Sequence, residues 1–543
     1  MSGIVSKQQL EFDLPFEIYN KKKQVAEQFS IIQIGISIFT QESDNEYKAY
    51  PFNFYVFPRK NDMYNPIISF QLGSIEFNTQ YDMDYNRWIK KGISYFPKNM
   101  GKEKMQKFKE LIVSGKNVES QLSLEQIWNK LDEDRKQITK QIIAEIDIWR
   151  YNDTEQIQDF KTNGIRIWYI RDYLIKYLNQ NKKIDEEFVI VPSLNKNEYD
   201  IKIRKLKISE DLQKNPNKIK NILEDEKIKM VEQEFESYKQ FLNVMEIIWE
   251  RKLPIIGHNC LMDHLFTYRS FYDSLPSYKE WKDQLIKLYP EMYDTKQIME
   301  KLKQKNFFYQ KNQIVQNQEN NMEIEENKEE ITQHLNIGDT SLENVKKYIN
   351  VNKHLFTQEL KVTIPEGFTD YTKGDSENYH EAGFDSYLTG LVFLNLQKNF
   401  KETVEAEKNI FNIRNKLYFI KFGADDLKKD NSLVYVVKEN SPSNLQKQQQ
   451  NNYQMIDNKR QEEIKSKFQT QLLENKVQFY FQINGYGFII LPEKYLNQDE
   501  EIQQEFIRKI VGLKACKFQV STFPEYFLKI QALDDQENKK KKQ

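Results

Sequence analysis

Cysteine is nearly absent from the 543-residue sequence, which contains only Cys260 and Cys516. The two lie far apart and no CxxC pair occurs, which argues against a disulfide framework and a thiolate zinc site. No run of 18 apolar residues is present, and no charged and then apolar leader follows Met1. The sequence therefore predicts neither a membrane span nor a secretory signal, and we expect a protein of the nucleus or the cytoplasm.

An excess of charge of either sign is also missing, since 80 basic residues balance 81 acidic ones for a net charge of −1. This balance excludes a general polycation, but it does not exclude a local basic groove that binds nucleic acid. The length is too great for one ordinary hydrophobic core, so we expect about two to four domains.

Apolar patterns predict where strands and helices lie. Two β-branched and aromatic runs, 31–39 (IIQIGISIF) and 52–58 (FNFYVFP), are joined by a polar link and predict a strand pair. A long helix is predicted over 231–252, ahead of the short apolar strand LPII. This alternation is typical of a layered α/β core. Segments 310–333 and 444–465 are rich in Gln, Asn, Lys and Glu and are predicted to be disordered.

His380 and Asp385 stand out in YHEAGFDSYLTG (379–390), because the whole chain has only five histidines. Apolar residues recur at helical spacing after the small pair Ala382 and Gly383, so we predict an amphipathic helix that brings His380 and Asp385 to one end of a cleft. The alternative is a capped core helix with an incidental histidine.

Asp263 lies in GHNCLMDHL (257–265), so we predict it in the first turns of a helix at the carboxyl end of strand LPII. Functional sites are common at that edge of an α/β sheet, although an Asp there also serves as a helix cap. Paired with the distant HxxxxD, the pattern suits a phosphodiester-cleaving site in which carboxylates bind two Mg²⁺ ions and a neutral histidine activates water.

Several segments that occur in one order resemble the DEDD exonucleases, and within them the poly(A)-specific ribonuclease family and its relatives that trim small-RNA 3′ ends. A set of matches in one order is more specific than any short motif. The segments are SGI (2–4), FDLPFEIYNKKKQVAEQFSIIQIGI (12–36), SIEF (74–77), IIGHNCLMD (255–263), YDTK (293–296), GDTSL (338–342) and HEAGFDSYLTGL (380–391).

The resemblance implies an α/β fold with an RNase H-like exonuclease core, an inserted small α/β single-strand-binding-like module and a C-terminal RRM-like α+β domain. The module looks like a degenerate form of the family's Arg/His-named domain. The implied boundaries are 1–130 and 225–405 for the two parts of the core, 134–212 for the module, 412–530 for the RRM-like domain and 531–543 for a basic tail.

The resemblance also implies roles for single residues. Asp263 and Asp385 bind two Mg²⁺ ions, with Mn²⁺ as an alternative ion, and His380 takes a proton from the attacking water. Ile4 and Lys296 match positions that meet RNA, and the alternative for Lys296 is a solvated surface lysine.

Phe481 falls where the family carries a Trp that stacks on the mRNA cap. Cap recognition is therefore in doubt, because Phe has a smaller aromatic face than Trp. The alternative for Phe481 is an inward-facing strand residue.

By resemblance we expect a Mg²⁺-dependent 3′-to-5′ exoribonuclease that shortens poly(A) tails in mRNA decay and pairs as a homodimer through its nuclease domain. Two alternatives stay open: a catalytically inactive RNA-binding or scaffold protein of the same fold, and an exonuclease that trims small RNAs.

The family's first motif, Asp-x-Glu, immediately precedes the residues that match SGI, where this sequence has only Met1. Either in-frame codons upstream encode that motif and its strand, or the protein is a pseudonuclease with a repaired sheet. His380, which a mere binding protein would not need, favours the first explanation. We expect the polypeptide as printed to be inactive, because half of the metal-binding carboxylates are missing.

Overall fold

The computed structural model describes residues 9, 13–59, 65–113, 122–151, 157–160, 168–183, 185–192, 201–304, 339–351, 356, 360–369, 371–372, 380–415, 418–428, 434–439, 478–481, 486–490 and 518–522. Within these ranges the chain forms a mixed α/β structure. No helix in the described ranges is long and apolar enough to cross a lipid bilayer.

The helices carry labels in chain order, and a π-helical turn (Tyr268–Tyr272) follows α11. They are α1 (Pro15–Gln28), α2 (Leu72–Gln80), α3 (Tyr85–Lys91), α4 (Lys98–Val113), α5 (Leu124–Asn129), α6 (Glu133–Tyr151), α7 (Trp168–Asn181), α8 (Glu210–Gln213), α9 (Pro216–Lys239), α10 (Phe241–Arg251), α11 (Leu261–Thr267), α12 (Tyr278–Leu288), α13 (Thr295–Gln304), α14 (Leu342–Val351), α15 (Ala382–Asn399) and α16 (Lys401–Ala406).

The strands are β1 (Gln33–Ser43), β2 (Glu46–Tyr55), β3 (Ile157–Phe160), β4 (Glu186–Pro192), β5 (Ile201–Lys207), β6 (Ile255–Gly257), β7 (Met292–Asp294), β8 (Lys361–Thr363), β9 (Ile410–Phe411), β10 (Tyr418–Lys421), β11 (Leu427–Lys428), β12 (Val434–Glu439), β13 (Gln478–Phe481), β14 (Tyr486–Ile490) and β15 (Phe518–Thr522).

The chain divides into two compact units. The first consists of Met1–Lys7 and Tyr19–Asn412, and the second of Gln8–Ile18 and Ile413–Gln543. All the strands from β1 to β9 belong to the first unit, which also contains Asp263, His380 and Asp385.

Two sets of strands in the first unit support the site. β1 and β2 form an antiparallel hairpin, and β8 adds to β2 in parallel. β6 and β7 form a separate parallel pair. Among the described strands, β1 pairs only with β2 and β6 pairs only with β7, so each set ends in an edge.

Helix α15 packs across β1 and β2 and also contacts β6, so it joins the two sets of strands. The predicted amphipathic pattern for this helix is wrong, because buried residues occur on all of its faces, from Gly383 and Phe384 to Val392 and Leu396. A helix that is hydrophobic all round lies inside a layered core instead of on its surface. The first turn of this buried helix carries Asp385.

Two predicted element boundaries are also wrong. The polar link between the first strand runs belongs to the strands themselves, because β1 and β2 pair as far as Ser43 and Glu46 across a tight turn. The single long helix predicted over 231–252 is two helices, α9 and α10. They are separated by Gln240, whose φ of 37° is incompatible with a continuous right-handed helix.

A three-stranded antiparallel sheet of order β3-β5-β4 lies between α6 and α9 in sequence. Its side chains build a hydrophobic cluster with those of α6 and α7, in which Ile146, Phe160, Leu174 and Ile203 are almost fully buried. The second unit contains a four-stranded sheet of order β13-β14-β12-β15, with antiparallel pairing throughout. Segments 310–333 and 444–465 and the tail 531–543 lie outside the described residues.

Candidate active site

Asp263 is positioned by a short turn after β6. The strand ends at Gly257, Asn259 adopts the left-handed backbone conformation with φ 57°, and α11 begins at Leu261. Asp263 therefore lies in the first turn of α11, at the carboxyl end of the strand, as the sequence predicts. No capping hydrogen bond from a side chain occurs at this helix start, and the side chain of Asp263 is solvent-exposed.

The surrounding protein raises the pKa of the Asp263 carboxyl above its usual value through desolvation. Asp263 is therefore in contact with water, but the surrounding protein still removes part of the hydration of its carboxyl group. Such a carboxylate gains from a nearby cation, because the cation replaces the lost hydration.

Asp385 is held in place by the start of α15. Glu381 precedes the helix and accepts hydrogen bonds from the Asn53 side-chain amide at 2.6 Å and from the Tyr371 hydroxyl at 2.8 Å. The backbone N–H of Ala382 donates to the side-chain oxygen of Gln33 at 3.3 Å. These contacts tie the beginning of α15 to β1 and β2, so the sheet determines where the Asp385 carboxylate lies.

Glycine allows this close approach of strand and helix. A Cβ atom at Gly35 on β1 would lie only 1.7 Å from the carbonyl oxygen of Ala382. At Gly383 it would meet the Tyr371 hydroxyl at 2.7 Å and the Asn53 Cβ at 2.8 Å. Any larger side chain at these two positions would push the helix start away from the sheet.

Burial raises the pKa of Asp385 to about 6, against the lowering effect of the His380 charge and of a hydrogen bond from the His380 backbone N–H. The charges of Asp263 and Glu381 raise it further. The two aspartates thus repel each other across the site. Repulsion between neighbouring carboxylates is the electrostatic condition under which a divalent cation binds most favourably.

His380 lies one residue before Glu381, outside helix α15, and its φ is 72°. The imidazole is exposed and contacts two aromatic rings, those of Phe77 and Tyr81, with centroid distances of 5.2 Å and 4.2 Å. The structure therefore brings His380, Asp385 and Asp263 into one region, although the histidine is presented by a turn and not by the predicted helix.

Lys296 is buried, which differs from the solvated surface lysine that was one alternative for this residue. Its side chain is buried, with 8% of its surface exposed, and its ammonium group donates to the Thr340 carbonyl at 3.2 Å. The alternative of a solvated surface lysine is wrong, and a contact of Lys296 with RNA stays a prediction.

Asp294, which the sequence analysis did not single out, is fully buried at the end of β7. Its carboxylate accepts the backbone N–H groups of Asn259 at 2.8 Å, Lys296 at 3.0 Å and Asn412 at 3.2 Å. Burial raises the pKa of Asp294 to about 6. Asp294 fixes the turn that leads to Asp263, because it accepts the N–H of Asn259 in that turn. The sequence signal that could have identified Asp294 is its position at the end of a strand, directly before Thr295, which begins α13.

Ile4 lies outside the described residues. Phe481 is on β13 opposite Gly487 of β14, in the second unit. The predicted RNA contacts of both residues stay predictions.

Asp263 and Asp385 are the carboxylates that could hold a divalent cation. Their oxygen atoms are ligands of the kind that Mg²⁺ and Mn²⁺ prefer, and burial raises the pKa values of both carboxyls. Within the described ranges, no cluster of three or more His, Cys, Asp or Glu side chains is arranged to hold a metal ion.

A carboxylate pair and a histidine at the edge of an α/β core are typical of nucleases with an RNase H-like fold. A family model described as CAF1 family ribonuclease matches residues 1–393. The chain belongs to this family, whose nucleases generally depend on divalent metal ions.

Three curated relatives show the range of similar proteins. Poly(A)-specific ribonuclease PNLDC1 of Mus musculus is 29% identical over 53% of this chain and 49% of its own length. Poly(A)-specific ribonuclease PARN of Homo sapiens is 24% identical over 75% of this chain and 58% of its own. The pre-piRNA 3′-exonuclease trimmer of Bombyx mori is 24% identical over 73% of this chain and 65% of its own. The chain spans about half the length of relatives such as PNLDC1.

Proposed function

We propose that this protein is a divalent-metal-dependent 3′-to-5′ exoribonuclease that shortens poly(A) tails. The observation that carries the proposal is the convergence of Asp263 and Asp385, from two distant segments, in a chain of the CAF1 ribonuclease family. The names of the PNLDC1 and PARN relatives support poly(A) as the substrate.

In this proposal, Asp263 and Asp385 hold Mg²⁺, or Mn²⁺ as an alternative. Bound metal would polarise the scissile phosphate and stabilise the attacking and leaving oxygens. The part played by the protein is to fix both carboxylates on a buried framework, with Asp385 tied to the sheet through Glu381. Rigid placement matters because a small displacement of catalytic groups costs much of the rate.

His380 would accept the proton of the attacking water. The lone pair of a neutral imidazole nitrogen can take up that proton. Two observations support this role: the His380 ring is exposed, and the His380 backbone N–H donates a hydrogen bond to Asp385. Attack of the deprotonated water on the phosphorus would break the bond to the 3′ oxygen of the preceding nucleotide. That oxygen would take up a proton, and the terminal nucleotide would leave as a 5′-monophosphate.

The polypeptide Met1–Gln543 by itself is inactive in this proposal. Two ions need more carboxylate ligands than Asp263 and Asp385 supply, and the described residues contain no larger cluster. Among the described strands, β1 and β6 each also have one edge without a partner strand. A further strand could form hydrogen bonds with the backbone groups along those edges. We would therefore test an upstream-extended protein, in which a strand and an Asp-x-Glu motif are added before Met1, and we expect activity in that form.

The two accessory regions would hold the RNA. The sheet of β3, β4 and β5 with its own hydrophobic cluster fits the small single-strand-binding-like module, and the four-stranded antiparallel sheet of the second unit fits an RRM-like domain. Phe481 on β13 would contribute aromatic stacking to the second. For stacking on the mRNA cap, Phe481 offers a smaller aromatic face than the Trp that the family carries at this position.

A homodimer of the nuclease domain would cover an apolar surface on and around α2 and α3. Large apolar residues are exposed along this segment, with Ile67 at 89% and Leu72 at 69% of their possible exposure, followed by Phe70, Phe77 and Ile89. These exposed side chains make this segment the surface that we assign to the dimer. A light-scattering mass near that of one chain at micromolar concentration would contradict a dimer.

A second candidate function is 3′ trimming of small RNAs, which the match to the Bombyx mori trimmer favours. The two functions differ in their dependence on adenine. We would give the upstream-extended protein and Mg²⁺ two labelled RNAs that differ only in an A-tail or a mixed-sequence tail of equal length. The proposed function predicts faster stepwise shortening of the A-tail, equal rates would favour trimming, and intact RNA in both reactions would indicate a binding protein.

A further inference from the structure

Three aromatic rings form a cluster at the solvent side of the site. The ring of Tyr81 contacts that of His380 at a centroid distance of 4.2 Å, and Phe77 contacts His380 at 5.2 Å. Phe77 and Tyr81 also contact each other at 4.8 Å, so the three rings are mutually packed. Phe77 lies in α2 and Tyr81 caps its end, which means that a segment about 300 residues away in sequence supports the histidine.

The geometry of His380 shows why such support matters. The residue has a φ of 72°, in the left-handed region that residues other than glycine adopt at an energetic cost. Its ring is also exposed, and an exposed ring without contacts samples several rotamers. The contacts with Tyr81 and Phe77 counter both effects, because aromatic pairs are mutually stabilising.

Tyr81 has the closer contact of the two, and its ring is tilted by 56° to the imidazole. Its place in the chain is fixed by backbone hydrogen bonds, because its N–H donates to the carbonyl of Asn78 at 3.2 Å and also to that of Thr79. Tyr81 is 45% exposed, so burial in a core does not explain its position. Its ring contacts the rings of His380 and Phe77.

We propose that Tyr81 is a positioning residue for His380 that orients the imidazole toward the attacking water. This inference rests on the proposed function, because it assumes that His380 acts as the base. The aromatic ring carries the effect and the hydroxyl does not, so Tyr81→Phe should preserve it and Tyr81→Leu should remove it. Tyr85→Leu is the matched control, since Tyr85 lies nearby but contacts Phe70 and Trp88 instead of His380.

The first measurement is independent of activity. The NMR signal of the His380 Cε1 proton, assigned by its loss in His380→Gln, is shifted by the ring currents of Tyr81 and Phe77. We expect this signal to move and broaden in Tyr81→Leu of the printed polypeptide and to keep its position in Tyr85→Leu. An unchanged signal in Tyr81→Leu would overturn the proposal, whatever the function of the protein.

The second measurement is the rate of A-tail shortening by the upstream-extended protein. Tyr81→Leu should lower kcat about tenfold with little change in KM, and Tyr81→Phe should keep the wild-type rate. A raised KM with unchanged kcat would mean that Tyr81 binds RNA and would overturn the positioning role. If His380→Gln keeps full activity, the proposed role of His380 fails, and the NMR result still shows whether Tyr81 orients it.

Discussion

The carboxylates of Asp263 and Asp385 lie close enough that the charge of Asp263 raises the pKa of Asp385. Asp263 lies in the first turn of α11, and Asp385 lies in the first turn of the buried helix α15, more than a hundred positions later. Neither segment contains a site by itself. The fold creates the site by joining two helix starts, and burial together with the charge of Asp263 disfavours the ionised form of Asp385 there.

Replacement of Asp385 by Asn should stabilise the metal-free protein and abolish its stabilisation by Mg²⁺. Asn has the same shape and can still accept the His380 backbone hydrogen bond, but it removes the charge that Asp263 and Glu381 oppose. We expect the thermal midpoint without metal to rise by about 2–4 °C at pH 7.5. The exposed Asp283→Asn is the control and should leave the midpoint unchanged. A lower midpoint for Asp385→Asn would show that the two carboxylates do not repel.

Substitution of Gly35 by Ala should strongly destabilise the first unit. The added Cβ would lie 1.7 Å from the Ala382 carbonyl oxygen, which is backbone and has little freedom to move. We expect a loss of about 3 kcal/mol or more in the free energy of unfolding. Gly73→Ala is a matched control, because a Cβ there meets nothing within 4 Å and α2 favours Ala over Gly. Equal denaturation midpoints for both variants would contradict the packing of β1 against α15.

Loss of the Glu381 carboxylate should lower the nuclease rate through displacement of Asp385. Glu381→Ala removes the acceptor for both Asn53 and Tyr371, and we expect the rate of A-tail shortening to fall about tenfold or more. Glu381→Gln keeps one acceptor oxygen and should retain most of the rate. The exposed Glu366→Ala should behave as wild type. If Glu381→Gln is as slow as Glu381→Ala, the charge of Glu381 matters and its hydrogen bonds with Asn53 and Tyr371 do not.

The stability contribution of Asp294 should fall as pH rises. Its pKa is about 6 in the folded protein and 3.8 in the unfolded chain. Between these two pH values the carboxyl is protonated in the folded state and ionised in the unfolded state. The contribution is therefore largest below pH 3.8 and is lost as pH rises through about 6.

We would measure the difference in free energy of unfolding between wild type and Asp294→Asn at several pH values. Between pH 4 and pH 7 the wild type should lose up to about 3 kcal/mol relative to the variant. A wild-type advantage that grows with pH would show that the carboxylate is stabilised by its backbone hydrogen bonds more than it is penalised by burial.

The sequence predicted that Asp263 and Asp385 lie at the starts of helices, but it did not predict how those helices pack. Helix-start positions for Asp263 and Asp385 follow from local signals, namely an apolar strand before the first and helical spacing after the second. The burial of α15 could not be predicted, because its hydrophobic faces are covered by strands that lie about 340 residues earlier in the chain. The role of Glu381 could not be predicted either, since its partners Asn53 and Tyr371 are distant in sequence.

Lys296 and Gln240 show two further limits of local patterns. The lysine ammonium finds a backbone carbonyl at Thr340 inside the protein, and no sequence rule predicts a buried lysine of this kind. Gln240 breaks a continuous helical pattern through a backbone torsion that its residue type does not favour. Contacts with residues distant in sequence override the local preference at both positions. Lys296 donates to the Thr340 carbonyl, and the Gln240 side chain accepts a hydrogen bond from the Ser94 N–H.

The most direct test of the account is a time course of a 5′-labelled, A-tailed RNA with Mg²⁺ and three forms of the upstream-extended protein: wild type, Asp263→Asn and Asp385→Asn. Each substitution removes one carboxylate and keeps the shape of the side chain. We predict that wild type shortens the tail one nucleotide at a time, and that each variant is slower by about 100-fold or more with RNA binding retained. A wild-type rate in either variant would contradict the assignment of these two aspartates as the metal-binding pair.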